Sequence, residues 1–146
     1  MSDMSVLSHE YKTASDLSQS ISDALITLKK ARYNVPGRET IDAEQLNRSR
    51  QDIAKILTAL VGQLSHSGGQ YFEGGDIVQI PGAFVGRLRT ERRGDLAYYL
   101  DDLSHIAAQL QREPLQLSDD DLALLDHLAT LADAEASRVF RRLMRI

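Results

Sequence analysis

Only three prolines, at 36, 81 and 114, interrupt the 146 residues, and they divide the chain into four blocks, each long enough to hold a helix. Proline lacks a backbone donor and clashes with the preceding turn, so no straight helix runs through these points. In the first block Leu7, Ala14, Ile21 and Leu28 recur every seven residues, with Tyr11, Leu17, Ala24 and Ala31 in the half-turns between. This spacing predicts an amphipathic helix from about Ser5 to Tyr33, ended by Asn34-Val35-Pro36-Gly37. The second block opens on Thr40 as a cap, with Asp42 and Glu44 in the first turn. It then runs Leu46, Ile53, Ile56, Leu57, Leu60 and Leu64, a helix over about 41–65.

Between Ser65 and Gly82 the period changes. Tyr71-Phe72-Glu73 and Asp76-Ile77-Val78 flank Gly74-Gly75, the pattern of a small β-hairpin or an ordered loop. From Val85 to Leu110, positions 85, 88, 92, 96, 99, 103, 106 and 110 form one face that is apolar or tyrosine except at Arg92. Gly94-Asp95 within it is a stop and restart signal, so two forms of the third helix are expected equally, one kinked or broken there and one straight and continuous. The last helix starts at Ser118, which caps three successive aspartates, and Leu125, Leu128, Ala132, Val139 and Leu143 carry its stripe to the end. The expected architecture is all-α: an antiparallel bundle of four main helices in one domain, residues 1–146.

Composition narrows the function. No cysteine is present, which removes thiolate nucleophiles, disulfides and thiolate-held metals. The net charge of −4 argues against a uniformly basic nucleic-acid coat. No apolar run reaches the length of a membrane span and no leader pattern opens the chain, so a cytoplasmic protein without membrane contact is expected.

Histidines stand at 9, 66, 105 and 127. A di-iron bundle needs Glu-x-x-His on two helices, and the nearest string, Asp102 to His105, lies off the core face. A metal-dependent helical enzyme is therefore the last-ranked reading, and no metal or cofactor is expected. The string Ser8-His9-Glu10-Tyr11-Lys12-Thr13 resembles the H-box of sensor histidine kinases, which lies on the first helix of a helical hairpin. That resemblance implies His9 as a phosphoacceptor, with the neighbouring carboxylate to orient the imidazole.

Charge is segregated. Residues 113–135 hold two Glu and five Asp without Lys or Arg, and residues 136–146 hold four Arg without an acid. The helix dipole favours that order. Arg138, Arg142 and Arg145 nevertheless share a helical face, and Arg87, Arg89 and Arg93 form a second cluster, so these six are the candidate polyanion contacts. Lys29, Lys30 and Arg32 form a third group. Tyr71, Phe72, Ile77 and Ile80, with Tyr98, Tyr99, Met144 and Ile146, are more apolar material than four stripes need, and the first four are the candidate partner surface. The reading is a non-catalytic helical interaction protein, a small subunit or adaptor with a protein partner or a second copy of itself. Nucleic acid is a candidate further ligand. In size and helix content the chain is similar to the all-helical small subunits of CRISPR effector complexes.

Overall fold

The computed structural model describes residues 2–33, 42–65 and 79–145. Among them are five helices and no strand: α1 (Ser2–Arg32), α2 (Ala43–Ser65), α3 (Gly82–Glu91), α4 (Leu96–Gln109) and α5 (Asp119–Met144). None is long and apolar enough to cross a membrane. The expected hairpin falls on 66–78, and the first helix's stop signal and the Thr40 cap fall within 34–41; both stretches lie outside the described residues.

The helix starts follow from local chemistry. At α2 it is Asp42 that caps, its carboxylate accepting from the Glu44 N–H at 3.1 Å while its carbonyl accepts from Leu46. At α5 the Asp121 N–H donates to Ser118 Oγ and the Ser118 N–H donates back to Asp121 Oδ2, each at 3.0 Å, a reciprocal capping box. The long third block is broken at 92–95 into α3 and α4, as the Gly94-Asp95 signal allowed. Asp95 occupies the cap position of α4, yet its side chain does not bond the helix end and turns to Arg92, 3.4 Å away. Arg92, the one polar residue of that stripe, lies over the Tyr99 ring at 4.6 Å, so its charge is held against an aromatic face.

The contacts fix how the helices run. At one end of α1, Lys29 meets Asp126 and Arg32 meets Asp119; at the other, Glu10 meets Arg142 and Tyr11 meets Phe140, so α1 and α5 are antiparallel. The Gln45 amide at the start of α2 reaches Thr27 near the end of α1, and Arg50 reaches the end of α4, so α2 opposes both. Helix α3 touches α2 and α5. All five contribute to one core, in which Leu28, Leu88 and Leu103 are wholly buried.

One buried cation locks the α4–α5 connection. The Arg50 guanidinium donates to the Leu110 carbonyl at 2.7 Å, to the Arg112 carbonyl at 2.6 Å and to Glu113 Oε1 at 2.5 Å. Three acceptors on one planar fork offset its desolvation and tie the end of α4 to α2.

Candidate functional site

The six arginines do not form one open track. Arg89 donates to the Gln63 carbonyl at 2.7 Å and so closes the C-terminal end of α2. Arg87 of α3 and Arg138 of α5 converge on Glu135, whose carboxylate is 2% exposed: Arg138 pairs with Oε2, and Arg87 lies 4.0 Å from Oε1. Arg142 faces Glu10 at 3.7 Å. Arg93 and Arg145 are exposed and make no side-chain ion pair among the described residues. The fold thus brings the two clusters together at Arg87 and Arg138, but around a buried acid.

Sequence reading passed over Glu135, although a signal was there. Ala132, Glu135, Ala136 and Val139 follow core spacing, so a carboxylate falls on an apolar stripe with Arg138 one turn on. A carboxylate in that position needs a cation. The pairing with Arg87 depends on how α3 docks, which no local pattern encodes.

The apolar candidates also move. Ile80 is buried in the core at 8% exposure, so it is spent on the protein's own interior, whereas Tyr71, Phe72 and Ile77 lie outside the described residues. Tyr99 is buried as well, and burial pushes its phenol up to about 12, with Arg92 pulling the other way. Of the large apolar side chains exposed among the described residues, Val6 and Ile26 lie on α1, Tyr33 just beyond it, Tyr98 on α4, and Phe140 and Met144 one turn apart at the end of α5. Phe140 is 45% and Met144 67% exposed, and the Tyr11 ring packs against Phe140 with centroids 5.5 Å apart. Tyr98, 75% exposed on α4, stands apart from them in sequence and element.

His9 is exposed and lines an open groove of about 490 Å³ between α1 and α2. Lys12, Thr13, Asp16 and Ser20 share its α1 wall, Asp52 and Lys55 stand on the α2 wall, and Leu17 and Ile56 contribute apolar surface. Lys12 pairs with Asp16 at 2.9 Å, and the Thr13 hydroxyl donates to the His9 carbonyl at 3.0 Å. His105 lies 3.4 Å from Gln109 and His127 3.1 Å from Glu91. Among the described residues no three His, Asp or Glu side chains converge as metal ligands would. No protein family, curated protein or solved structure matches the chain.

Proposed function

We propose that residues 1–146 act as one non-catalytic helical interaction unit, an up-and-down bundle of four main helices in which α3 and α4 share the third position. Its role is that of a small subunit or adaptor in a larger assembly. The observation that carries this reading is the exposed apolar end of α5, where Phe140 packs against Tyr11, Met144 follows one turn on, and both present apolar surface to solvent. Burial by a partner of the part of each side chain that is still exposed, roughly half, contributes about 1–2 kcal/mol each. The test is to purify the tagged chain from its native cells and compare it with Phe140→Ser/Met144→Ser. The parent should carry a stoichiometric partner or run as an oligomer, and the double variant should run alone with its helical circular dichroism retained. A parent that runs as a lone monomer at cellular concentration would contradict the reading.

An assembly that also holds nucleic acid would recruit the arginines. Arg87, Arg138 and Arg142 would then have to exchange a carboxylate for a phosphate, which makes contact weak and steeply salt-dependent in a gel-shift titration.

A second reading is favoured by the groove beside His9: a phosphoacceptor whose imidazole opens on a groove that Lys12 and Lys55 also line. Attack by a ring nitrogen on acetyl phosphate would form the P–N bond and release acetate. Intact-mass analysis should then show a phosphate adduct that His9→Gln lacks; its absence from the parent protein removes this reading.

A further inference from the structure

We infer that the outer face of the last two turns of α5 receives an acidic amphipathic helix of a partner protein; this rests on the interaction reading above and names the partner's chemistry. Phe140, Arg141, Met144 and Arg145 are all exposed. The two apolar residues are four apart, and so are the two arginines, so each pair forms a row one turn long on the same side of the helix. The Tyr11 ring extends the apolar row across the seam to α1.

Charge identifies the occupant. Residues 136–146 contain four arginines and no acid. Arg138 and Arg142 have intramolecular carboxylates, Glu135 and Glu10, whereas Arg141 and Arg145 have no side-chain ion pair among the described residues. Two unpaired cations beside two large apolar side chains complement a helix that offers two carboxylates and two apolar residues at the same four-residue spacing. Other polyanions fit less well. A phosphate track uses about 6–10 cationic contacts and an anionic lipid surface about 4–8 clustered basic residues, against the two unengaged here.

The probe is a fluorescein-labelled synthetic helical peptide with leucine pairs and glutamate pairs, each four apart, titrated with the full chain in fluorescence anisotropy. The same peptide with lysine for glutamate, phosphatidylserine vesicles and a single-stranded oligonucleotide complete the set. Binding of the glutamate peptide with discrimination against the lysine peptide is expected. Arg141→Glu/Arg145→Glu should abolish glutamate-peptide binding and transfer it to the lysine peptide. Phe140→Ser/Met144→Ser should weaken it about tenfold or more. Circular dichroism of each variant establishes that the fold is retained, while Tm should fall slightly, through the lost Tyr11–Phe140 ring contact in one variant and the reversed charge at the helix end in the other. Equal affinity for the two peptides, no binding of either, or binding confined to vesicles or oligonucleotide would overturn the inference. A native-cell partner lost with Phe140→Ser/Met144→Ser but kept with Arg141→Glu/Arg145→Glu would leave the interaction reading standing and remove the acidic partner.

Discussion

Lys29 Nζ of α1 and Asp126 Oδ1 of α5 lie 2.8 Å apart across 97 residues of sequence. The acidic start of α5 faces the basic end of α1, and Arg142 near the end of α5 faces Glu10 near the start of α1. A parallel pairing would set Arg142 against Lys29 and Arg32. The charge segregation along α5 therefore selects helix direction as well as complementing the helix dipole. In a double-mutant cycle, Lys29→Glu and Asp126→Lys should each destabilise by about 0.5–1 kcal/mol in urea denaturation, because both groups are half-exposed, and the double exchange should recover most of the loss. Additive losses would mean that the pair does not interact.

Glu135 pairs with Arg138 within α5 and faces Arg87 of α3 at 4.0 Å, the one cation among the described residues that reaches it across the α3–α5 seam. Replacing it with Gln keeps the shape and removes the charge, which leaves Arg138 Nη2 and Arg87 with a neutral acceptor in a seam already carrying an unpartnered Arg138 Nε. The expected cost is about 1–3 kcal/mol in urea denaturation, with amide exchange increasing first in α3. An unchanged midpoint would show that Phe84, Val85 and Leu88 alone hold the helix.

Tyr99 carries a buried hydroxyl without a hydrogen-bond partner. Tyr99→Phe should therefore be neutral or slightly stabilising at pH 7. The pH dependence has a definite sign. The folded phenol is raised to about 12 from its ordinary 10.0, so the unfolded chain loses this proton first. Stability from this group is complete below pH 10 and is lost as pH rises through 12, by about 2 kcal/mol. Alkaline titration at the phenolate absorbance should show a late step that Tyr99→Phe lacks, and the variant should unfold less steeply above pH 10.

Gly94 marks the α3–α4 break, but a Cβ there would meet open space and the residue does not need left-handed backbone angles. Gly94→Ala should keep the break and raise stability by about 0.4–1 kcal/mol through the unfolded chain. A loss of more than that in a thermal melt would mean that the turn needs glycine.

Most of the helical frame was legible because its signals are local. Seven-residue spacing in α1, the Ser118 box of α5 and the Gly94-Asp95 restart each act within a few turns, and each is found where the pattern pointed. What escaped depends on contacts between distant segments. Ile80 reads as surplus apolar material on a loop but is core because it immediately precedes α3 where that helix meets α2 and α5. Arg50 stands in the polar start of α2, where no local pattern singles it out, yet it is a buried clamp because α4 ends opposite it. The arginine clusters were visible as charge, and their carboxylate partners became visible only with the helices packed.

The most direct test of the interaction reading is site-specific photo-crosslinking in the native cells. A photoreactive phenylalanine analogue placed at Phe140 probes the exposed end of α5, and the same analogue at Ala123, exposed on the opposite half of that helix, serves as the control. A discrete, reproducible adduct from position 140 and none from position 123 is the predicted result. Position 140 giving no adduct above the level at 123, in cells where the chain is present at its normal abundance, would contradict the account.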